Sequence, residues 1–484
     1  MSSWSNFRQE RILINGQWVE ADSKKTISVI DPATGLELGT VPSAGADETR
    51  RAIEAAQKAF ETFSQTTANE RANYLRLLAT AIMDNQSALA ELLTREQGKP
   101  LAEAKGEVGM SAAYVQWFAE EARRVYGDTI PSPWADRRIM VTKSPVGVVG
   151  AITPWNFPSS MLARKIGPAL AAGCTVVAKP ASQTPYSALA WGLLAEQVGI
   201  PAGVINIVTG DARAIGGELT SNPLVRKITF TGSTGVGKHL MKQAADTVKK
   251  VSMELGGNAP FLIFDDADLD KAVAGAIAAK FRNAGQTCVC TNRLYVQSGI
   301  YDRFVEAFAK ATDELVVGSG LESGTTQGPL IDDAAVTKVE EFLTDAIGKG
   351  AKVVTGGQRH SKGGRFFQPT IVSGASPDMQ FAREEIFGPI APVFKFETEA
   401  EAVKAANDTE FGLAAYFYTK DLGRAFRVSE RLQYGLVGIN EGMITTEVAP
   451  FGGFKESGVG KEGSKYGIDD YLDTKYVCVG GLGL

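Results

Sequence analysis

Histidine is scarce in this 484-residue chain, which contains only His239 and His360. Two imidazoles exclude a histidine-rich zinc site, and they make a nucleophile activated by histidine a poor expectation. An excess of basic residues is also absent, since 50 lysines and arginines stand against 55 aspartates and glutamates. The resulting net charge of −5 excludes the broad positive surface that nucleic-acid binding usually requires.

Cysteine and long apolar runs are scarce as well. The four cysteines are Cys174, Cys288, Cys290 and Cys478, and scattered thiols in a chain of this length favour a reducing compartment over a disulfide scaffold. The longest apolar stretch, residues 146–152, is far shorter than the ~20 residues needed to cross a bilayer, and the first residues lack the pattern of a secretory signal. We therefore expect a cytoplasmic protein with neither a membrane nor a nucleic acid as partner.

Length and hydrophobic pattern predict an α/β protein of about three domains. Residues 47–124 carry apolar side chains at spacings of three and four, which predicts two or three amphipathic helices. From residue 146 onwards, short strands rich in β-branched residues alternate with helices, which indicates parallel βαβ units. The alternation restarts after Glu254, so a second α/β domain is expected there. Such sheets place their ligand sites at the carboxyl ends of the strands.

A glycine-rich turn follows the predicted strand at residues 227–230. Its spacing, Gly232-x-x-x-x-Gly237-Lys238, nearly fits a P-loop, but His239 stands where a Ser or Thr must bind Mg²⁺. What remains is a turn between a strand and a helix, whose free backbone N–H groups and helix dipole suit a phosphate. Taken alone, the pattern is more often a plain tight turn than a nucleotide site.

The loop that contains Cys288 provides a candidate nucleophile. Cys288 follows a predicted helix at residues 269–283, and an irregular loop at a helix end is where a reactive thiol is expected. Cys174 and Cys478 fit the pattern of inert thiols. Both histidines are expected at the surface, so a carboxylate is the natural base. Glu254 is the best candidate, because it ends a predicted strand and is followed by two glycines that would let the chain turn sharply.

Seven motifs, spread over nearly the whole chain, occur in the order seen in the aldehyde dehydrogenase superfamily, which the sequence therefore resembles. They are Thr153-Pro154-Trp155-Asn156-Phe157-Pro158, Lys179-Pro180-Ala181-Ser182, Phe230-Thr231-Gly232-Ser233-Thr234, Met253-Glu254-Leu255-Gly256-Gly257, Gly285-Gln286-Thr287-Cys288, Glu385-Ile386-Phe387-Gly388-Pro389 and Pro450-Phe451-Gly452-Gly453. Residues 463–472 and the pair Cys288-x-Cys290 further resemble the succinate-semialdehyde dehydrogenase branch of that family.

The resemblance implies an aldehyde dehydrogenase-like α/β fold in three parts. Residues 1–126 and 143–254 would form a Rossmann-type cofactor domain, and residues 255–455 an α/β catalytic domain. Residues 127–142 and 456–484 would form a small β extension and C-terminal segment. In the family, that extension makes the contacts of a homodimer or homotetramer.

The resemblance also implies a reaction, the NAD(P)-dependent oxidation of succinate semialdehyde to succinate, as in 4-aminobutyrate breakdown. Cys288 would attack the aldehyde to form a thiohemiacetal and then a thioester, and the Asn156 amide and the Cys288 N–H would hold the oxyanion. Glu254 would activate the water that hydrolyses the thioester. Lys165 and Glu462 match positions that relay the proton in relatives, and an ordinary surface charge pair is the alternative.

For the cofactor, the resemblance assigns Lys179 to the adenosine ribose, Ser233 and its loop to the pyrophosphate, and Glu385 to the nicotinamide ribose. The full set of implied cofactor residues is Pro154, Trp155, Lys179, Ser182, Gly232, Ser233, Glu385 and Phe387. Trp155 packs beside the site or fills the core. Relatives that prefer NAD often carry a glutamate at position 182, so the neutral Ser182 favours NADP, with NAD as the other cofactor.

For the substrate, the resemblance assigns Arg164 and Arg282 to the carboxylate of an ω-oxo acid. Either arginine alone is also typical of a surface salt bridge. Thr445 stands where relatives have a serine, and its extra methyl leaves glutarate semialdehyde, or a broad range of aldehydes, as an alternative substrate. One methylene discriminates by only ~1–3 kcal/mol.

Two further alternatives stay open. Cys290 is either a redox partner that forms a strained, reducible disulfide with Cys288 or a small pocket-lining residue. A thiol hydrolase or acyltransferase would also use Cys288 and Glu254, but without a cofactor. No metal site is expected.

Overall fold

The N-terminal third contains short strands and four helices; the structure, a computed structural model, describes residues 3–482. Its elements are β1 (Ile12–Ile14), β2 (Gln17–Val19), β3 (Thr26–Ile30), β4 (Glu37–Pro42), α1 (Ala46–Phe63), α2 (Ala68–Asp84), α3 (Gln86–Gln97), α4 (Leu101–Glu121), β5 (Asp128–Ile130) and β6 (Arg138–Pro145). The prediction of two or three helices is wrong in number. The helical region is divided between Phe63 and Ala68, at Asn85 and at Gly98, which ends α3 in the left-handed conformation (φ 96°).

The predicted βαβ alternation is confirmed in the middle of the chain. Its elements are β7 (Val148–Ile152), α5 (Ser160–Ala172), β8 (Thr175–Lys179), α6 (Pro185–Gln197), β9 (Ile205–Ile207), α7 (Ala212–Ser221), β10 (Val225–Thr231), α8 (Thr234–Ala244) and β11 (Lys250–Glu254). Helices α2, α4 and α5 pack together through a core that includes Ile82, Phe118 and Leu162. Burial of such side chains stabilises the fold by roughly 1.5–3 kcal/mol each.

The alternation restarts after β11, as predicted. The remaining elements are β12 (Ala259–Ile263), α9 (Leu269–Phe281), β13 (Thr291–Gln297), α10 (Tyr301–Asp313), α11 (Asp333–Gly348), β14 (Lys352–Thr355), β15 (Thr370–Ser373), β16 (Ile390–Phe396), α12 (Glu399–Asn407), β17 (Ala414–Tyr418), α13 (Leu422–Arg431), β18 (Leu436–Ile439), β19 (Gly458–Val459) and β20 (Leu472–Val479).

The first large sheet has eight strands in the order β19-β11-β10-β7-β8-β9-β1-β2, and its five central strands are parallel. The strand order reverses between β7 and β10, because β8 and β9 continue on one side and β11 on the other. Parallel sheets bind ligands in the crevice outside the carboxyl ends of the strands at such a reversal. Here β7 leads into Thr153 and β10 into Gly232, so the crevice is lined by two of the predicted motifs.

The second large sheet has seven strands in the order β14-β15-β16-β13-β12-β17-β18, all parallel except β14. Most of its candidate site residues precede strands, although Thr445 follows β18. Gly257 comes before β12, Cys288 before β13, and Glu385 and Phe387 before β16. The prediction that ligand sites lie at carboxyl ends is therefore correct for the first sheet and, in the second, fails at β12, β13 and β16 but holds for the loop after β18.

A small antiparallel sheet, β20-β6-β5, joins residues 128–145 to the C-terminal strand. Strands β6 and β20 pair from Pro145 with Leu472 to Arg138 with Val479. Cys174 is fully buried, as predicted, whereas Cys478 lies exposed on β20, so burial does not support its predicted inertness, which stays a prediction. Among residues 3–482, no helix combines the length and apolar character needed to cross a membrane.

Candidate active site

Two cavities meet at Cys288. The first has a volume of about 360 Å³ and lies at the carboxyl ends of β7 and β10. The second has a volume of about 280 Å³ and lies between α4, α5 and the Cys288 loop. Cys288 and Met161 line both cavities. A group held in either cavity therefore has access to the same sulfur.

The first cavity brings together most of the predicted cofactor residues. Those that line it are Pro154, Trp155, Gly232, Ser233, Glu385 and Phe387. The rings of Trp155 and Phe387 meet edge to face with centroids 5.4 Å apart. Trp155 is only half-buried and forms part of the cavity wall, so the alternative that it fills the core is wrong.

The glycine loop differs from the prediction in where its free N–H groups lie. The Gly232 N–H donates to the Glu254 carbonyl at 3.0 Å, so it is not available to a phosphate. The open donors belong to the first turn of α8, whose N-cap Ser233 makes no side-chain capping bond. Lys238 pairs with Glu456 at 2.7 Å on the surface. The helix N-terminus, and not the glycine turn, provides the anion-binding feature.

The glycines after Glu254 serve close packing and not a sharp turn. Neither Gly256 nor Gly257 has a positive φ. A Cβ added to Gly257 would lie 2.4 Å from the carbonyl oxygen of Cys288. The expectation that these glycines turn the chain is therefore wrong, and Gly257 instead lets the nucleophile loop approach the backbone before β12.

Lys179 and Ser182 lie at the same edge of the first sheet, outside the first cavity. The Lys179 carbonyl accepts the Thr153 N–H at 3.1 Å, which joins the ends of β8 and β7. Its ammonium donates to the Pro180 carbonyl at 3.0 Å, and burial lowers the pKa of Lys179 to about 8. Ser182 is half-buried in the turn between β8 and α6.

Glu385 lines the first cavity, and its carboxylate lies close to Gly256. It accepts the Gly257 N–H at 3.0 Å, and the Lys338 ammonium donates to the Glu385 carbonyl at 2.7 Å. Burial raises the pKa of Glu385 to about 7, although the Gly257 N–H opposes that rise. This carboxylate is therefore anchored and ready to accept a hydrogen bond.

The loop that carries Cys288 begins with a left-handed turn. Asn283, Ala284 and Gly285 all have positive φ values, of 50°, 56° and 72°. For residues other than glycine this conformation costs about 1–2 kcal/mol. Burial raises the pKa of the Cys288 thiol to about 12, and the Arg164 guanidinium only partly offsets it. The resting thiol is protonated, so its attack on a carbonyl requires a base.

The Asn156 side chain points at the nucleophile loop. Its amide nitrogen Nδ2 donates to the Gln286 carbonyl at 3.0 Å, two residues before Cys288. A primary amide carries two hydrogens, so one remains for another acceptor. Asn156 is 4% exposed and lines the first cavity. The arrangement suits the predicted oxyanion donor.

Glu254 lies behind the cavity wall. Its Oε2 atom has no hydrogen-bond partner among the described residues, and Glu254 lines neither of the two cavities. Burial raises the pKa of Glu254 well above its usual range, and the neighbouring Glu462 raises it further. A protonated carboxyl at rest becomes a base once it loses that proton, provided that it turns towards Cys288.

Lys165 and Glu462 form a buried ion pair beside Glu254. Their Nζ and Oε1 atoms are 2.6 Å apart, and the side chains are 0% and 4% exposed. Lys165 also donates to the Thr231 hydroxyl at 2.6 Å. The alternative of an ordinary surface charge pair is wrong.

The second cavity brings together the three predicted substrate residues, Arg164, Arg282 and Thr445. Arg164 is 2% exposed, and its Nε and Nη1 atoms lack hydrogen-bond partners among the described residues. Its Nη1 lies 3.7 Å from the Glu462 carboxylate, which is a loose ion pair. Arg282 has no carboxylate within 4 Å in the described part of the chain. The surface salt-bridge alternative is therefore wrong for both arginines.

Apolar side chains surround the two guanidinium groups. The Arg164 carbon Cζ lies 4.2 Å from the centroid of the Phe451 ring, and that of Arg282 lies 5.5 Å from the Phe157 ring. Met110 and Met443 also line the cavity. Glu103 and Glu107 also line the cavity, but the Arg164 Nε and Nη1 atoms have no hydrogen-bond partner among the described residues, so these donors stay open to an anion.

Comparison with known proteins places the chain. The profile of the "Aldehyde dehydrogenase family" matches residues 18–477. The chain belongs to the aldehyde dehydrogenase family. It is 61% identical to the succinate-semialdehyde dehydrogenase [NADP(+)] GabD of Escherichia coli, over 98% of this chain and 99% of that protein. It is also 61% identical to a glutarate-semialdehyde dehydrogenase of Pseudomonas aeruginosa, over 98% of both.

Among solved structures, the aldehyde dehydrogenase chain is similar to one described as an E. coli NADP-dependent enzyme. The TM-score is 0.98 at 61% identity, with 98% of this chain and 99% of the other covered. The predicted α/β fold and the aldehyde dehydrogenase resemblance are therefore confirmed, and the chain is an oxidoreductase that acts on aldehydes. This result decides against the cofactor-independent thiol hydrolase or acyltransferase.

Sequence reasoning missed several residues that line the aldehyde dehydrogenase's cavities. Met161 lines both, and Glu103 and Glu107 of α4 line the second. The signal for the glutamates was present, since with Met110 they share one face of α4 at spacings of four and three. Residues 3–482 contain no group of three or more His, Cys, Asp and Glu side chains arranged to hold a metal ion.

Cys290 faces away from the two cavities. Its sulfur lies 3.0 Å from the Lys280 carbonyl and 3.5 Å from the Thr291 carbonyl, and neither cavity is lined by it. The pocket-lining alternative therefore does not hold for these cavities. The disulfide with Cys288 stays a prediction, and it requires the loop to rearrange. The test is peroxide inactivation that dithiothreitol reverses in the wild type and not in Cys290→Ala.

Proposed function

We propose that the chain oxidises succinate semialdehyde to succinate, with NADP as the preferred cofactor and NAD as an accepted one. One observation carries the substrate: the guanidinium groups of Arg164 and Arg282 line the same cavity as Cys288, and neither makes a close ion pair with the carboxylates that also line it. A hydrogen bond to a charged group contributes about 1.5–3 kcal/mol, so the carboxylate end of a short ω-oxo acid is well held there. The relative from E. coli, named for this substrate, supports the choice.

The chemistry starts at Cys288. The ionised Glu254 carboxylate takes the proton of the thiol to give the thiolate, and sulfur attack on the aldehyde carbon gives a thiohemiacetal oxyanion. The free Asn156 amide hydrogen and the Cys288 N–H stabilise that oxygen. Collapse of the oxyanion with loss of hydride leaves a thioester on Cys288.

Glu254 completes the reaction as the general base. In its ionised form, the carboxylate takes a proton from the water that hydrolyses the thioester, and it returns the enzyme to the free thiol. A positioned base contributes typically 10²–10⁴-fold. The Lys165–Glu462 pair beside Glu254 gives the proton a route out of the buried site.

The first cavity fits a nicotinamide dinucleotide. The open N-terminus of α8 at Ser233 suits a pyrophosphate, and the buried Lys179 ammonium, which donates only to a backbone carbonyl, suits a ribose hydroxyl. Glu385 suits the second ribose, and Trp155 and Phe387 form flat walls near Cys288. When bound, the nicotinamide supplies the acceptor for the hydride.

The preference for NADP rests on Ser182. A neutral hydroxyl in this turn accepts a 2′-phosphate without repulsion and can donate a hydrogen bond to it. Lys179 lies three residues earlier in the sequence and adds positive charge. The E. coli relative, whose name specifies NADP(+), supports this preference.

Glutarate semialdehyde is the second candidate substrate, because a relative that bears its name is as similar as the first. The test compares kcat/KM for succinate semialdehyde, glutarate semialdehyde and uncharged butanal, with NADP and with NAD. We expect the ranking succinate, glutarate, butanal. A higher kcat/KM for glutarate semialdehyde would make it the preferred substrate. A kcat/KM for butanal equal to that for succinate semialdehyde would show that the two arginines do not bind a carboxylate.

We further propose that the β20-β6-β5 sheet makes the contacts of a homodimer or homotetramer in the cytoplasm. Ile130, Met140 and Tyr476 on these strands are 43%, 39% and 60% exposed, which is unusual for large apolar side chains. Light scattering on the purified chain tests this, and a monomer would contradict it. We also propose that the chain has three parts, a cofactor domain, a catalytic domain and a β extension, with boundaries at residues 126, 142, 254 and 455.

A further inference from the structure

Lys99 is a buried cation that the reaction described above does not use. It follows Gly98 at the end of α3 and is 1% exposed. Its ammonium donates to the Glu107 carboxylate at 2.6 Å and to the Asn156 carbonyl at 2.7 Å. It also lies 3.7 Å from the centroid of the Phe157 ring. The lysine therefore sits directly behind the residue that points its amide at the nucleophile loop.

Backbone packing holds Lys99 in this place. The Lys99 N–H donates to the Gln97 side chain at 3.0 Å. A Cβ added to Gly320 would lie 2.3 Å from the Lys99 carbonyl oxygen. A Cβ added to Gly98, which already has a φ of 96°, would lie 2.8 Å from both Pro32 and Pro329. The segment has little room to move, so the ammonium is a fixed reference point.

The same cluster holds both sides of the site. Glu107 accepts the N–H groups of Ser159 and Ser160 at 3.0 and 3.2 Å, and it thereby fixes the start of α5. Glu103 accepts the Asn283 N–H at 2.9 Å, and the Asn283 side chain donates to the Asn156 carbonyl at 3.1 Å. The strained turn before Cys288 and the Asn156 loop thus meet at one carbonyl oxygen, which Lys99 also binds.

We propose that Lys99 is a positioning residue that fixes the Asn156 carbonyl between Glu107 and the Asn283 turn, so that the free Asn156 amide hydrogen faces the oxyanion formed at Cys288. This inference rests on the oxyanion role proposed for Asn156. A carbonyl held by two donors cannot rotate freely, and the side chain that shares its Cα is aimed accordingly. A misplacement of about 1 Å at such a donor can cost about 10²-fold in rate.

The test is a double-mutant cycle on kcat. Lys99→Met keeps the length of the side chain and removes its donors, and we expect a loss of about 10- to 100-fold with saturating aldehyde and NADP. Asn156→Ala should lose about 10²–10³-fold. If Lys99 acts through Asn156, the double variant Lys99→Met/Asn156→Ala will be no slower than Asn156→Ala alone. The inference would be overturned if the loss in the double variant equalled the product of the two single losses. A kcat for Lys99→Met within twofold of wild type would also overturn it.

Controls separate positioning from general damage. Lys105→Met, on the exposed face of α4, should leave kcat unchanged. Alkylation of Cys288 by iodoacetamide, followed by mass spectrometry, forms no oxyanion and should proceed in Lys99→Met within twofold of the wild-type rate; a larger change would indicate a structural role. Should Lys99→Met not fold, Lys99→Met/Glu107→Gln, which removes the unpaired carboxylate, enters the cycle in its place. Failure of both to fold would assign Lys99 a purely structural role and overturn the inference.

The cycle is run with butanal as well as with succinate semialdehyde, so that an error in the substrate leaves it intact. The two proposals fail separately. If Asn156→Ala keeps its kcat, the oxyanion role itself is wrong. If Asn156→Ala loses activity and Lys99→Met does not, only the positioning role is wrong.

Discussion

The two cavities that share Cys288 are built from different materials. Loops at the ends of strands wall the larger one, with Pro154, Gly232 and Gly256 at its surface. Long side chains such as Met110 and Phe451 wall the smaller one around its two arginines. Side chains such as Trp155 and Phe387 line the larger cavity as well, but its proline and glycine segments present main chain, which changes little on substitution. We infer that the first cavity suits a constant partner and the second a partner that varies among relatives.

The largest effect is expected at Cys288, the residue that both cavities share. Cys288→Ser should lower aldehyde oxidation by at least ~10⁴-fold, because removal of a nucleophile disables the residues that act with it. NADP binding, measured by fluorescence titration, should persist, since it depends on the first cavity. Cys478→Ser, at an exposed thiol, is the matched control. Turnover that survives in Cys288→Ser would remove the covalent mechanism.

The second cavity alone is tested at Arg282. Arg282→Met should lower kcat/KM for succinate semialdehyde by about 10- to 100-fold, which corresponds to a lost charge-assisted hydrogen bond of ~1.5–3 kcal/mol. The value for butanal and the KM for NADP should change by less than about threefold. Arg303→Met, at an exposed arginine, provides the control. An equal loss for both aldehydes would show that Arg282 supports the loop and does not bind the carboxylate.

The cofactor side of the comparison is tested at Ser182, which lies outside the first cavity but at the same edge of the first sheet. Ser182→Glu places a carboxylate where a 2′-phosphate is expected, and like charges in close contact repel, so kcat/KM for NADP should fall by about tenfold or more. The value for NAD should stay within about twofold, and Ser182→Ala separates loss of the hydroxyl from gain of the charge. An unchanged preference for NADP in Ser182→Glu would contradict the assignment.

The smallest effect concerns pH. Glu254 loses activity when protonated, so kcat should rise with pH as it ionises. Burial, and then the Glu462 charge, raise the pKa of Glu254. Glu462→Gln removes that repulsion and leaves Lys165 unpaired, and both changes favour the ionised form. The rising limb of the kcat–pH profile should therefore move to lower pH, unlike in the exposed control Glu456→Gln. A rising limb at the same pH as in the wild type would show that Glu462 does not influence the ionisation of Glu254.

The first sheet was largely predictable from its sequence. The helix expected at residues 160–172 is observed as Ser160–Ala172, and the strand expected at residues 175–178 as Thr175–Lys179. β-Branched runs bounded by glycine carry a strong local signal, and the carboxyl-end rule then located the crevice. Local patterns did not reveal why Gly257 is a glycine. The reason is close packing against the carbonyl of Cys288, a residue 31 positions further along the chain.

The second sheet shows why the other site residues could not be placed from local sequence patterns. Cys288 and Glu385 precede their strands, so their edge of the sheet faces the first crevice only because of how the two sheets pack. That packing depends on contacts between segments far apart in the chain. Buried ion pairs could not be predicted for the same reason. Lys165 and Glu462 are 297 positions apart, and the residues next to each of them in the sequence favour a solvent-exposed charge. Only the resemblance to a family placed them together.

The return of the chain to the first sheet has a consequence for synthesis. After the second sheet is complete, β19 comes back to pair with β11, and Glu462 follows a few residues later. A growing polypeptide therefore presents its sulfur nucleophile to the cell long before the carboxylate beside Glu254 has been translated. Until the segment with β19 and Glu462 has been translated, the nascent chain contains Cys288 and Glu254 but lacks the partner of Lys165, so the proton route is completed only after both large sheets have been synthesised.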